Sequence, residues 1–255
     1  MTIRTDGRAL DELRDVTIET GFTRVPDGSV RIMTGDTMVM CTASVSDWLP
    51  RWRRKQVGPD EEPDGWVTGQ YSLLPGATNP RGRREAKRGK MSGRTHEINR
   101  LIGRSLRGIV DLEALGPRSI QVDCEVLQAD GGTRTASVTG AWVAMAVACG
   151  KLIDSDSLET MPIRDSLAAV SCGVVDGDVR LDLPYVEDSA AAVDMNIVMT
   201  GSGEFIEVQG TGEEATYSRA ELDGLVDLAE KGIAELTEMQ AAALPDRSYF
   251  KDLFQ

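Results

Sequence analysis

A single histidine, His96, is the only imidazole in this chain of 255 residues. It has no second imidazole with which to share a metal and no Ser or Cys motif to activate, so hydrolase triads and zinc sites are poorly supported. The four cysteines, Cys41, Cys124, Cys149 and Cys172, lie far apart in apolar contexts without CxxC or Cys/His spacing. They read as reduced core residues. Aromatic residues make up only 5% of the chain, so stacking platforms are scarce and any nucleic acid would be held mainly by charge. The opening segment is charged from Arg4 onward, without the apolar core of a signal peptide, and no stretch is expected to reach the length of a membrane span. A cytoplasmic protein with no membrane partner is expected.

What is present is charge, unevenly spread. The formal net charge is −13, yet between Arg81 and Arg107 ten residues are Lys or Arg and only Glu85 and Glu97 oppose them. This local +8 leaves −21 on the remainder, which repels polyanions everywhere else. Affinity for a phosphate backbone follows local neutralisation of phosphates, so the island is a candidate docking site for something anionic. A solvated arginine-rich face accounts for the same charge.

The residue pattern reads as α+β, with 41% hydrophobic residues sufficient for the core of one compact unit over 1–255. Residues Val16 to Val45 alternate and turn at Pro26-Asp27-Gly28 and Gly35-Asp36, as short antiparallel strands do. A long polar stretch, 46–92, holds WVTGQYSLLPGATNP as loop or edge structure. From Thr95 to Ile109 the period becomes helical, with Ile98, Leu101, Ile102, Ser105 and Ile109 on one face and Arg100, Arg104 and Arg107 on the other. SIQVDCEVLQ then alternates strictly as a strand, and an alanine-rich segment from Ala136 to Leu152 reads as a buried helix. Hairpins follow at 166–183, turning at Asp176-Gly177, and at 194–209, turning at Gly201-Ser202-Gly203, before a last helix from Ser218 to Ala243. Strand pairs precede helices in both halves, which suggests a pseudo-duplicated layer structure.

Three constellations could carry chemistry. In the first, a strand leads through Asp130-Gly131-Gly132-Thr133-Arg134 into a helix, where backbone amides and the helix dipole favour an anion. Thr133 adds a hydroxyl and Arg134 a planar fork for two phosphate oxygens. An ordinary strand-to-helix turn capped by Asp130 fits the same residues, and the GxxxxGK[ST] lysine of a P-loop is lacking. The second is Arg94, which on a helical wheel lies toward the apolar flank and so needs an anionic partner, either a structural carboxylate or a ligand phosphate. The third is the pair Asp188 and Asp194, separated by small residues and followed by Asn196. A turn could join the two carboxylates around Mg²⁺, although in a chain with 41 acidic residues a chance pair is the simpler reading.

Read together, SGRTHEINRLIGRSLRGIVD, LQADGGTRTASVTGAW, the Asp188–Asp194 run with MNIVMT, and FIEVQGTGEEATYSRAEL closely resemble the ribonuclease PH family. The likeness begins at Arg4-Thr5-Asp6-Gly7-Arg8, continues through GDTMVMCTASV and GWVTGQYSLLPGAT, and reaches LAEKGIAEL in the last helix. It implies a ribonuclease PH fold with two ββαβα-like halves, assembled as a homo-hexamer, a trimer of dimers. It implies a phosphate-dependent 3′→5′ exoribonuclease that trims precursor transfer RNA and other RNA, releases nucleoside diphosphates, and in reverse extends RNA ends. Arg94, Gly132, Thr133 and Arg134 match the positions that hold inorganic phosphate. Asp188 and Asp194 match the catalytic acidic pair, expected to bind Mg²⁺ or Mn²⁺ or to help protonate the leaving oxygen. Arg81 and Arg84 match basic loop positions associated with RNA contact and subunit pairing, and the neighbouring Arg88 is expected to contact RNA with them. Gly69 and Gln70 stand where the family commonly has Ala-Glu, and Gly76 where it has arginine; the acidic Lys55–Asp64 stretch has no assigned role. Two other readings are a catalytically silent RNA-binding ring subunit, which would be free to lose these positions, and a hydrolytic ribonuclease, which would want a denser carboxylate cluster.

Overall fold

Turn chemistry sets the first strands. A computed structural model of the chain describes residues 4–55, 61–85, 89–212 and 215–254. β1 (Val16–Thr20), β2 (Gly28–Thr34) and β3 (Thr37–Ser46) form an antiparallel meander. The turn between β2 and β3 is carried by Gly35 at φ +54°. A short helix, α1 (Arg51–Arg54), precedes β4 (Trp66–Leu73), which is the strand hidden in the long polar stretch. The helices α2 (Gly93–Gly108) and α3 (Leu112–Leu115) then lead to β5 (Ser119–Gln128). Because β4 and β5 are parallel, they need a crossover, and α2 supplies it. The resulting sheet has the order β1-β2-β3-β5-β4, with β4 on its edge.

The second half repeats the plan. After α4 (Thr133–Asp154) come β6 (Leu167–Val175), β7 (Asp178–Leu181), the one-turn α5 (Tyr185–Asp188), β8 (Val193–Thr200) and β9 (Phe205–Gly212). These form an antiparallel sheet in the order β7-β6-β8-β9. α6 (Arg219–Ala243), started by a capping box of Ser218 and Glu221, is followed by α7 (Ser248–Lys251) and a 3-10 turn, Asp252–Phe254. Each half is thus a sheet followed by a long helix, as the α+β reading expects.

The two sheets are joined through α4, which packs on β2 and β3 on one side and on β6 on the other. β6 is buried along its whole length because its two faces serve different cores. Leu167 and Ala169 join the α4 core, whereas Ala168, Val170, Cys172 and Val174 pack toward α6. Small residues let the layers approach closely. A Cβ on Gly28 would lie 1.8 Å from the Ala144 carbonyl oxygen of α4, and one on Gly69 would lie 2.5 Å from Ile102 of α2. Glycine at 69 therefore lets α2 lie close on β4.

Two expectations change. The 22-residue α4, with mean hydropathy 1.5, is long and apolar enough to cross a membrane, contrary to the expectation that no stretch is; here it is the central core helix, 78% buried over its most apolar window. Arg107 does not point to solvent with Arg100 and Arg104. Its guanidinium stacks 4.5 Å above the Trp66 ring and donates to the Val67 carbonyl at 2.8 Å. The four cysteines are free and buried as expected, and burial pushes the Cys149 thiol up to about 12. Residues 56–60 of the acidic Lys55–Asp64 stretch lie outside the described residues.

Candidate active site

The glycine-rich turn sits where β5 ends and α4 begins. Gly131 and Gly132 both adopt positive φ, +71° and +64°, and Gly132 is the N-cap of α4. With glycine there, no side chain caps the first-turn amides, and the helix dipole at such an end favours negative charge. Thr133 and Arg134 follow in the first turn. The Thr133 hydroxyl is 2.8 Å from the Tyr71 hydroxyl at the far end of β4. Burial pushes the Tyr71 phenol up, against the pull of Thr133 and Arg94, so it stays protonated at neutral pH. The Arg134 guanidinium donates to Gln209 of β9 at 2.7 Å and to Glu97 of α2 at 3.3 Å, which orients it from both halves of the molecule.

Arg94 lies in the first turn of α2, whose N-cap Ser92 accepts a hydrogen bond from the Thr95 amide. Contrary to the helical-wheel reading it is exposed, because the helix starts at the mouth of a cavity. That cavity, of about 480 Å³, is lined by Arg94, Gly132, Thr133 and Arg134 together with Asp188 and Asp194. Asp188 ends α5, and Asp194 lies on β8 opposite Gly173 of β6 and Thr211 of β9. The small residues between the two aspartates form the tight connection that brings both to one wall. Ser171 and Asn196, register partners on β6 and β8, line the same wall.

The carboxylate pair suits a hard divalent cation. Two aspartates offer oxygen donors of the kind Mg²⁺ or Mn²⁺ takes, with positions left for water and substrate phosphate. Among the described residues there is no group of three or more His, Cys, Asp or Glu able to hold a metal, which disfavours a site made wholly of protein ligands. Arg81 and Arg84 are exposed on the loop that leaves the cavity rim at Thr78, Asn79 and Pro80. Arg88 lies outside the described residues. Gly76 is exposed and a Cβ there would meet nothing within 4 Å, so its missing side chain leaves no packing defect.

Beneath the turn is a feature that sequence reasoning missed. Arg14 donates from Nε and Nη2 to both carboxylate oxygens of Asp182, at 2.9 and 2.7 Å, and from Nη1 to the Asp130 carbonyl. Burial alone would raise the Asp182 pKa, but the hydrogen bonds and charge of Arg14 overcome it and hold the group below the ordinary carboxylate range. A depressed folded-state pKa contributes stability that is complete above the unfolded value near 4 and is lost as pH falls through the folded value. The urea midpoint is therefore expected to drop on acidification below about pH 4. In Asp182→Asn that part of the drop should be absent.

Two family models match the chain: "3' exoribonuclease family, domain 1" over residues 12–149 and "3' exoribonuclease family, domain 2" over residues 165–232. Ribonuclease PH of Bacillus subtilis is 56% identical over 245 residues, covering 96% of this chain and 98% of that protein. Ribonuclease PH of Corynebacterium efficiens is 55% identical over 241 residues, covering 94% and 96%. Among solved structures, the Archaeoglobus fulgidus exosome with RNA bound to the active site aligns with TM-score 0.76 at 23% identity, over 93% of this chain and 92% of that one. Rice Rrp46 aligns with TM-score 0.71 at 18% identity, over 99% and 100%. These two likenesses speak to the fold.

Proposed function

The chain belongs to the ribonuclease PH family of 3′ exoribonucleases and is a phosphorolytic 3′→5′ exoribonuclease, and we propose that the cavity between its halves is where phosphorolysis takes place. The observation that carries this assignment is convergence: Arg94 of α2, Gly132 of the turn after β5, Thr133 and Arg134 of α4, Asp188 of α5 and Asp194 of β8, up to 100 positions apart in sequence, line one cavity with cationic donors on one wall and carboxylates on another.

In this reading inorganic phosphate rests on the first-turn amides of α4, the Thr133 hydroxyl and the Arg94 and Arg134 guanidiniums. One of its oxygens attacks the phosphorus that joins the last nucleotide to the RNA. A new P–O bond forms, the bond to the penultimate 3′-oxygen breaks, and a nucleoside diphosphate leaves behind an RNA one nucleotide shorter. Hydrogen phosphate carries the proton that the departing 3′-oxygen takes up, so no imidazole base is needed. Arg94 and Arg134 neutralise the crowded oxyanions, which is most of what phosphoryl transfer asks of a protein. Asp188 and Asp194 would hold Mg²⁺ or Mn²⁺, which when bound adds further charge neutralisation at the transferred phosphate. Because a phosphate ester is exchanged for a phosphoanhydride, the reaction also runs in reverse, extending RNA from nucleoside diphosphates.

The exposed Arg81 and Arg84, together with Arg88, would track the RNA backbone, largely without regard to sequence. Precursor transfer RNA with a 3′ extension is the proposed substrate, the cytoplasm the proposed compartment, and a homo-hexamer, a trimer of dimers, the working assembly, with 1–255 acting as one unit. The alternative of a catalytically silent RNA-binding ring subunit is not favoured, since all six assigned positions are retained in one cavity and the relatives at over half identity are named as the enzyme.

The test is to incubate the protein with 3′-extended transfer RNA and Mg²⁺, with and without inorganic phosphate, and to identify the released nucleotide. Nucleoside diphosphates formed only with phosphate are expected. Monophosphates formed without it would point to hydrolysis, and RNA binding with no product would revive the ring-subunit reading.

A further inference from the structure

The strongest cluster of charged groups outside the cavity is a buried ionic network directly behind it. Its centre is Asp182, 3% exposed and one of the few non-glycine residues with positive φ, at +50°. Such a conformation costs free energy and persists only where the surroundings over-determine it. Here they do. The Arg14 side chain grips both carboxylate oxygens and the Arg14 backbone amide adds a third hydrogen bond at 2.8 Å. The Asp182 carbonyl accepts from Arg4 at 2.8 Å and Arg8 at 3.1 Å.

The network reaches both catalytic turns. Toward the phosphate turn, Arg14 holds the Asp130 carbonyl, while Thr37 accepts from the Asp130 amide at 2.9 Å and donates to the Gly131 carbonyl at 2.6 Å. Toward the carboxylate turn, Arg4 and Arg180 both hold Glu187, the 3%-exposed residue immediately before Asp188. Between the turns there is a direct tie: the Asp130 carboxylate accepts a hydrogen bond from the Tyr185 amide at 3.1 Å, at the start of α5. The contact is close enough that a Cβ on Gly131 would lie 2.4 Å from the Leu183 carbonyl oxygen.

We propose that Asp130, backed by the Arg14–Asp182 clamp, is a positioning residue for phosphorolysis: it sets the separation between the turn that holds phosphate and the turn that presents Asp188. The inference rests on the cavity assignment made above. Asp130 touches neither reactant in that scheme and acts through the backbone of α5. Its side chain is 34% exposed and lies 3.9 Å from the buried Arg14 guanidinium, which keeps both Asp182 oxygens when Asp130 is changed, so no buried charge is left unpaired.

The experiment compares Asp130→Ala with Asp130→Asn, which keeps an oxygen to accept from the Tyr185 amide. Phosphorolysis kinetics, RNA affinity and thermal midpoint are measured for each. Loss of the tie is expected to lower kcat by on the order of 100-fold, the cost of a displacement near 1 Å between reacting groups. KM for phosphate, RNA affinity and thermal midpoint should stay close to those of the unmodified enzyme, because each half of the site remains intact. Asp130→Asn is expected to recover most of kcat. An unchanged kcat in folded Asp130→Ala would overturn the proposal, as would a fall in kcat that only mirrors a lost folded fraction. Monophosphate release without phosphate by the unmodified enzyme would overturn the cavity assignment itself, and this inference with it.

Discussion

Replacing Arg134 with alanine is expected to slow phosphorolysis by on the order of 10³-fold, the scale on which an arginine facing a transferring phosphoryl group contributes. Arg134 stands in the first turn of α4, beside the amides proposed to receive phosphate, and Gln209 and Glu97 fix the plane of its guanidinium before any substrate arrives. Preorganisation of this kind is what gives an electrostatic group its effect, since no reorganisation is required as charge develops. Arg134→Lys keeps a positive charge but loses the two-pronged fork, so its rate should lie between those of alanine and arginine. The measurement is initial rate against phosphate concentration. A rate unchanged in Arg134→Ala would remove this residue from the phosphate site.

Asp194→Asn is expected to produce a loss of similar size, about 4 kcal/mol in the barrier or on the order of 10³-fold. The substitution preserves shape and removes one negative charge from a partly buried position on β8 whose Oδ1 is fully shielded from solvent. A structural carboxylate and a metal-holding carboxylate then diverge in their consequences. If Asp194 holds the cation with Asp188, the Mg²⁺ concentration for half-maximal rate rises steeply while the thermal midpoint in metal-free buffer stays level or increases, because the fold no longer confines that charge. A normal Mg²⁺ dependence with a lowered midpoint would assign Asp194 to the fold instead.

The periodic elements were legible because their signals are local. β5 alternates Ile120, Val122, Cys124 and Val126 toward the core, and all four are buried. α6 begins at the capping box that Ser218 and Glu221 spell out. Arg94 was harder to read. Its helical phase points toward the apolar flank, but phase says nothing about whether the helix end is covered, and here it opens onto the cavity. Tyr71 has a strand's alternation and nothing that announces a hydroxyl placed 2.8 Å from Thr133. Arg14 and Asp182, 168 residues apart, carry no shared motif at all.

By itself the sequence determined which segments alternate, which are helical, and where the glycine-rich turn and the aspartate pair lie, since each depends on residues within about one turn or one strand of each other. Only the tertiary structure decided that these line one cavity. α4 sits between two sheets, so its N-terminus faces the wall built by α5 and β8. Buried arginines tie the turns together, because a charge removed from water must find its partner wherever the fold brings one.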